Sequence, residues 1–126
     1  MRNRGFSLIE LLIVVAIILI LMAMAIPGLQ QAKIQALEAG AISGIRTVHA
    51  AQAQYQSQYG RFAAILAELG PPASGRPSVS AAGLISSDLA AGEKGGYRYR
   101  LQTGEYGYGI NADPVAFGRT GNHTFY

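Results

Sequence analysis

The feature that most constrains this chain is a long apolar segment near its N-terminus. Residues 11–26 contain no charged or polar side chain, and the run begins at Phe6 with Glu10 as its only carboxylate. About twenty apolar residues suffice to span a bilayer as a helix. A carboxylate inside such a segment is costly, by about 2.5–3.5 kcal/mol near the bilayer centre on insertion scales. Glu10 is therefore a candidate functional residue that needs a partner.

Two arginines, Arg2 and Arg4, precede the apolar segment. Basic residues stay on the cytoplasmic side of a first membrane helix, so these arginines orient the rest of the chain outward. A secretory signal peptide is an alternative, but its apolar region is about 7–15 residues long and ends at a small-residue cleavage site. The run here is longer, and residues 22–25 are the only part that resembles such a site. An ordinary secretory signal is thus the weaker interpretation.

The residues at the start of the apolar run carry a family resemblance. The hexapeptide GFSLIE at residues 5–10, with a short basic leader before it and a purely apolar helix after it, resembles the type III signal sequence of type IV prepilins and pseudopilins. The resemblance implies that a membrane-bound prepilin peptidase cuts after Gly5 and methylates the new amine of Phe6. A narrow protease subsite that admits only a hydrogen atom would explain the glycine. The alternative is that Gly5 only frays the start of a helix.

The resemblance also implies a partner for Glu10. Within one helix the Phe6 amine lies a turn away in poor geometry, whereas axially staggered subunits would bring Glu10 of one chain to the Phe6 amine of the next. Opposite charges about 4 Å apart attract by about 4 kcal/mol at an effective dielectric constant of 20. This attraction would set the register of a filament. The alternative is an incidental residue near the interface, where the carboxylate reaches lipid headgroups at low cost.

Beyond the apolar run, the sequence predicts that the same helix continues. Pro27 removes a backbone donor and Gly28 weakens the helix further, so the pair predicts a kink. Apolar residues then recur at steps of three and four up to Tyr59, and Gly60 follows where a helix commonly ends. A helix over residues 6–59 would be roughly 80 Å long at 1.5 Å per residue. The predicted buried face comprises Ile34, Leu37, Ala41, Ile45, Val48, Tyr55 and Tyr59, and the predicted polar face comprises Lys33, Gln35, Arg46, Gln52, Gln54 and Gln56.

Two glycines lie within this amphipathic half. Gly40 and Gly44 each cost about 1 kcal/mol relative to alanine in a helix. A close packing contact is the interpretation that best accounts for them. Downstream, residues 62–69 and 84–89 have the pattern of short helical turns, separated by a Ser/Ala/Gly/Pro loop.

The last third of the chain changes to a period of two. Residues 97–102 alternate tyrosine and leucine with polar residues, as in a half-buried strand. After a turn at 103–105, Tyr106, Tyr108 and Ile110 alternate with smaller or polar residues and predict the returning strand of a hairpin. Asp113 and Pro114 end it, because proline cannot continue a ladder. Residues 124–126 resemble the start of a third strand, which leaves the completeness of the chain open.

The fold class that follows is α+β and pilin-like. A long N-terminal helix, with an apolar half and an amphipathic half, is expected to pack against a small antiparallel sheet, as the resemblance implies. We expect a leader peptide at residues 1–5 and a transmembrane or filament-core helix at residues 6–27. A globular pilin domain at residues 28–126 would include the amphipathic half of the helix.

Composition argues against several classes of function. Removal of Arg2 and Arg4 with the leader would leave eight of ten basic side chains against seven acidic ones, a formal charge of +1 instead of +3. No Lys/Arg patch predicts direct nucleic-acid binding, and the absence of cysteine excludes disulfides and thiolate metal sites. His49 and His123 are isolated, so neither predicts a metal or catalytic site. The downstream acidic residues, which are too sparse for a calcium site, are Asp88, Glu93, Glu105 and Asp113.

The resemblance implies a structural subunit of a type IV pilus-like filament, assembled from the inner membrane after leader cleavage and serving adhesion, motility, DNA uptake or secretion. No enzymatic activity and no cofactor are expected. The implied partners are further copies in a helical homopolymer, the prepilin peptidase, the inner-membrane assembly platform with its ATPase, and membrane lipid before assembly. The expected location is the bacterial inner membrane for the single-pass precursor, then an extracellular filament or a periplasmic pseudopilus.

Two alternatives stay open. One is a type II secretion pseudopilin, which would share the N-terminal motif. The absence of cysteine counts against disulfide-closed pilins, and the sparse acidic residues count against a calcium-bearing major pseudopilin. The other is a membrane-anchored binding domain that does not polymerise, for which Glu10 would have no use.

Overall fold

The structure is a computed structural model that describes residues 4–126, so Arg2 of the predicted leader lies outside the described residues. The chain divides into two compact units. We call residues 4–33 the apolar unit and Ile34–Tyr126 the globular unit. The elements, in chain order, are α1 (Leu8–Tyr59), α2 (Leu66–Leu69), α3 (Ser87–Ala90), β1 (Glu93–Lys94), β2 (Tyr97–Gly104) and β3 (Gly107–Pro114). The predicted α+β, pilin-like class, with a long N-terminal helix and a small antiparallel sheet, is confirmed.

Helix α1 has 52 residues and contains Pro27 without ending there. Its end is close to the predicted one: Gly60 adopts φ +73° and donates its N–H to the Gln56 carbonyl at 2.8 Å. A left-handed glycine of this kind closes a helix without the steric cost that a Cβ would bring. A Cβ on Gly28 would meet nothing within 4 Å, so packing within residues 4–126 does not explain that glycine. The kink at Pro27 and Gly28 stays a prediction.

One face of α1 is buried in the globular unit. Ala41, Ile45, Val48 and Tyr55 are buried, as their spacing predicts. The position that differs is Gln52, which was predicted on the polar face and is 0% exposed. Its Nε2 donates to the Ala63 carbonyl at 3.0 Å and its Oε1 accepts the Ala63 N–H at 2.9 Å. Burial of the amide is possible because both of its polar atoms are hydrogen-bonded.

The rest of the core comes from the short elements and the sheet. Tyr97 and Tyr99 of β2 and Ile110 and Ala112 of β3 face α1's buried stripe within one cluster of buried side chains. Apolar side chains of the connecting segments complete the cluster: Ala63, Leu66, Leu69, Ala82, Ile85 and Leu89. The segment predicted as a helical turn at residues 62–69 is helical only over α2, and that at 84–89 is helical only from Ser87.

The sheet has the order β1-β2-β3, and both pairs are antiparallel. Gly104 pairs with Gly107, so the hairpin loop is Glu105 and Tyr106 rather than residues 103–105. The prediction that Tyr106 belongs to the returning strand is therefore wrong: it lies in the turn and is 95% exposed.

Two further features of the sheet differ from the sequence expectation. Strand β1 is only two residues long and was not predicted, because a strand this short carries no periodicity. At the other edge, residues 124–126 do not form a full strand. Instead, Phe125 makes an isolated antiparallel bridge to Ala112, with hydrogen bonds of 2.7 and 2.9 Å.

The two helical glycines of the globular unit have different explanations. A Cβ on Gly44 would collide with the Tyr99 ring, so this glycine is where the sheet approaches the helix closely. A Cβ on Gly40 would meet nothing within 4 Å. The predicted packing contact is confirmed for Gly44 and wrong for Gly40.

Candidate functional site

The start of α1 is fixed by a side chain that the sequence interpretation missed. Residues 4–7 have no regular secondary structure, and α1 begins at Leu8. Ser7 Oγ accepts the Glu10 N–H at 3.2 Å, and the Ser7 carbonyl accepts the Leu11 N–H at 3.2 Å. Ser7 is therefore the N-cap residue of the helix. The available signal was Ser-x-x-Glu directly before an apolar run, which is the capping-box pattern.

Gly5 lies outside the helix, next to this cap. A Cβ at Gly5 would meet nothing within 4 Å, and Gly5 does not have a positive φ. Neither packing within the described chain nor backbone conformation therefore requires a glycine here. This observation weighs against the idea that Gly5 serves the chain's own fold and favours a requirement imposed by a partner. Its role in leader cleavage stays a prediction.

Phe6 and Glu10 are both presented to the surroundings. Phe6 is 85% exposed, and Arg4, Gly5, Phe6 and Glu10 together line an open cleft of about 430 Å³. Within residues 4–126 the ion pairs are Arg61–Glu68, Arg98–Glu93 and His123–Glu38, all in the globular unit. Among the described residues Glu10 forms no ion pair within 4 Å, although Arg4 lines the same cleft. An apolar helix with an exposed carboxylate is suited to a charged partner from outside the chain.

The remainder of the apolar unit exposes its side chains on every face. The helix is long and apolar enough to cross a membrane by length and composition, with a mean hydropathy of 3.1 in its most apolar 18-residue window. None of that window is buried within the chain. Exposed apolar surface of this extent marks a surface for lipid or for other protein.

In the globular unit, Glu38 holds the C-terminal segment. Glu38 Oε1 accepts the Asn122 N–H at 2.8 Å and lies 3.0 Å from His123 Nδ1. The Asn122 backbone hydrogen bond, followed by the His123 side chain, lowers the pKa of Glu38 below its ordinary value. The Tyr97 hydroxyl also donates to the His123 carbonyl, at 3.1 Å. These contacts are structural, and sequence reasoning missed them because Glu38 and His123 lie 85 positions apart.

Neither histidine belongs to a metal or catalytic cluster among the described residues. His49 Nδ1 lies 2.8 Å from the Tyr108 hydroxyl, and the Tyr108 ring also packs against Phe62 with centroids 4.8 Å apart. His123 contacts Glu38 as described above. No group of three His, Cys, Asp or Glu side chains in residues 4–126 is placed to hold a metal ion.

Comparison with known proteins gives the N-terminal segment its context. Residues 1–26 match the family described as "Prokaryotic N-terminal methylation motif". A protein of Myxococcus xanthus (strain DK1622) described as "Type IV major pilin protein PilA" is 41% identical over 69 residues, which cover 55% of this chain. The match covers 31% of that protein, so the chain spans about a third of the length of the curated relative it matches. No solved structure matches the chain.

These findings agree with the geometry of the N-terminal segment. The motif match contains Gly5, Phe6, Ser7 and Glu10 together with the exposed apolar helix. Type IV pilins are structural subunits and not enzymes. The resemblance predicted from residues 5–10 is confirmed: the chain carries the N-terminal methylation motif of type IV prepilins and is similar to the type IV pilin family.

Proposed function

We propose that this chain is a structural subunit of a type IV pilus-like filament. The precursor would be anchored in the bacterial inner membrane by residues 6–27, with the leader at residues 1–5 in the cytoplasm and residues 28–126 outside. A prepilin peptidase would cut between Gly5 and Phe6 and methylate the Phe6 amine. An assembly platform and its ATPase would then transfer the subunit from lipid into a helical homopolymer.

The observation that carries this proposal is the pairing of an apolar helix exposed on every face with one exposed carboxylate at its start. Lipid alone would satisfy the apolar surface of α1, but it would not favour Glu10. The new amine of Phe6 in a neighbouring subunit would supply a cation. Attraction between unit charges about 4 Å apart is about 4 kcal/mol at an effective dielectric constant of 20. Charge pairing and apolar packing would then act together in assembly.

Two details of the helix fit this proposal. The continuity of α1 through Pro27 is compatible with one helix that serves as anchor first and as filament core later. Pro27 and Gly28 would provide a point of local bending at the membrane exit, because the proline removes one intrahelical hydrogen bond.

A type II secretion pseudopilin is the second candidate, since its precursor would use the same N-terminal segment and the same peptidase. A membrane-anchored domain that does not polymerise is a third. The discriminating residue for the third is Glu10, because an anchor that stays in lipid gains nothing from a carboxylate in its apolar helix.

The test is the intact mass and N-terminal sequence of protein sheared from cells that express the full chain. The proposal expects a mature chain that begins at methylated Phe6 and is recovered in fibres. Glu10→Ala should remove the chain from the sheared fraction while leaving it in the membrane. Glu105→Ala, at the exposed hairpin turn, is the matched control and should leave fibres intact. An uncleaved, monomeric chain that is indifferent to Glu10→Ala would contradict the proposal and favour a membrane anchor.

A further inference from the structure

The cap at Ser7 lies directly beside the bond that the proposed function requires to be cut. The Gly5–Phe6 peptide bond belongs to residues 4–7, which have no regular secondary structure, and the helix begins two positions after Phe6. Ser7 Oγ accepts the Glu10 N–H at 3.2 Å. We infer that Ser7 is a positioning residue for leader cleavage. Its hydroxyl fixes where α1 begins, so that the Gly5–Phe6 bond is presented as accessible, non-helical backbone. This inference rests on the proposed function.

Two acceptors compete for the Glu10 N–H, the Ser7 hydroxyl and the Phe6 carbonyl. In an α-helix each N–H bonds the carbonyl four residues earlier. If α1 were extended by one turn, the Glu10 N–H would bond the Phe6 carbonyl, and the Ile9 N–H would bond the Gly5 carbonyl. Ser7 Oγ now takes the Glu10 N–H, so the cap and the longer helix exclude each other. The carbonyl of the scissile bond belongs to Gly5, so the cap keeps it free indirectly, by excluding the longer helix in which it would accept the Ile9 N–H.

The surroundings favour the longer helix if the cap is lost. Ile9 and Glu10 lie in the first turn of the proposed anchor, where their N–H groups have less access to water and are best satisfied within the chain. An alanine at position 7 offers no acceptor and is the best helix former. We expect such a chain to satisfy the Glu10 N–H by winding Phe6 and Gly5 into α1. The scissile carbonyl would then be hydrogen-bonded and covered by helix.

The glycine at position 5 is consistent with a bond that is read outside the helix. Its Cβ position is empty to 4 Å, and the neighbouring Phe6 side chain is 85% exposed. The described chain therefore leaves both residues of the scissile bond, Gly5 and Phe6, accessible to a peptidase. After cleavage, Ser7 and Glu10 both remain in the mature chain, so the cap of α1 would survive processing.

The expected change in KM for Ser7→Ala follows from the strength of a side-chain cap. Loss of an N-cap shifts the helix-end equilibrium about fivefold. If only the capped form, with the Gly5–Phe6 bond outside the helix, binds the peptidase productively, the apparent affinity falls with the fraction of chains in that form, so KM rises by up to about fivefold while kcat is unchanged. Threonine and asparagine also cap helices, and both should restore the wild-type KM.

The experiment uses the full-length precursor in detergent micelles with purified prepilin peptidase, and it follows cleavage by mass. The variants are Ser7→Ala, Ser7→Thr and Ser7→Asn, with Ser43→Ala on the exposed face of α1 as the matched control. Carbon-13 chemical shifts of labelled Gly5 and Phe6 report their backbone conformation. The inference expects helical shifts and a raised KM only in Ser7→Ala.

Three other outcomes would each overturn it. Equal KM for Ser7→Ala and wild type, despite helical shifts at Phe6, would show that the peptidase does not need the bond outside the helix. A raised KM with extended Phe6 in every variant would assign Ser7 a direct contact with the peptidase instead. An uncut wild-type chain would contradict the proposed function itself, and the inference would fall with it.

Discussion

The two halves of α1 use the same backbone for opposite surroundings. In the apolar unit every side chain described is exposed, from Phe6 to Leu29 and beyond. In the globular unit the same helix buries a stripe that includes Val48, Gln52 and Tyr55, each 0% exposed. The first half is apolar on all faces and the second is apolar on one. The apolar unit therefore depends on lipid or other protein to cover it, whereas the globular unit depends on its own contacts.

This contrast predicts that core substitutions affect only the globular unit, and Tyr97→Ala is the most severe. Tyr97 is fully buried, packs against Phe125 with ring centroids 5.9 Å apart and donates to the His123 carbonyl. Truncating a buried aromatic residue lowers the free energy of unfolding by about 3–5 kcal/mol. Thermal unfolding of the full chain in micelles, followed by near-UV circular dichroism of the tyrosines, measures the loss. Leu19→Ala in the apolar unit is the control and should leave this transition unchanged; an equal loss from both would break the contrast.

The next largest effect is expected at Gln52. Gln52→Ala would leave the Ala63 N–H without its partner, whereas the Ala63 carbonyl would keep the Thr103 hydroxyl at 3.1 Å. Each buried polar group left unsatisfied costs about 1–3 kcal/mol. The free energy of unfolding in urea should fall accordingly, whereas Gln54→Ala on the exposed face should leave it within about 0.5 kcal/mol. Equal values for the two variants would mean that water replaces the Gln52 amide.

A smaller effect separates Gly40 and Gly44, the two glycines of α1 in the globular unit. Gly44→Ala should destabilise the globular unit by about 1–2 kcal/mol, because the clash with the Tyr99 ring outweighs the gain in helix propensity. Gly40→Ala meets no atom and should stabilise it by about 0.5–1 kcal/mol. The same urea titration measures the free energy of unfolding of both variants. A Gly44→Ala variant more stable than wild type would show that the Tyr99 ring moves aside at no cost.

The smallest effect is the pH dependence contributed by Glu38. Its pKa is lowered from the ordinary value of 4.5 by the Asn122 N–H and then by His123. A lowered folded-state pKa contributes stability that is present above the unfolded value and is lost as pH falls through the folded value. The difference in Tm between wild type and Glu38→Gln should therefore shrink below pH 4.5. Glu10→Gln, in the apolar unit, should leave the pH profile of this transition unchanged.

The sequence predicted the elements that repeat a pattern and missed those that depend on one distant contact. A step of three or four is repeated over the whole second half of α1, so its buried stripe could be predicted from Ala41 to Tyr55. Gln52 could not, because its partner is the backbone of Ala63 beyond the end of the helix. Tyr106 was misplaced because alternation fixes the phase of a strand but not the length of its turn. For the site, the motif at residues 5–10 was recognisable, and Ser7 could also have been found from the capping pattern.

The bridge between Phe125 and Ala112 has a consequence for how copies of this chain would associate. An open strand edge is a template on which another chain can add a strand. On the outer strand β3, both backbone groups of Ala112 are already bonded to Phe125, and Pro114 has no N–H to offer. The chain's own C-terminal segment thus occupies this edge at Ala112. A strand from a second copy could not form its regular ladder with β3 at Ala112 and Pro114 without displacing Phe125.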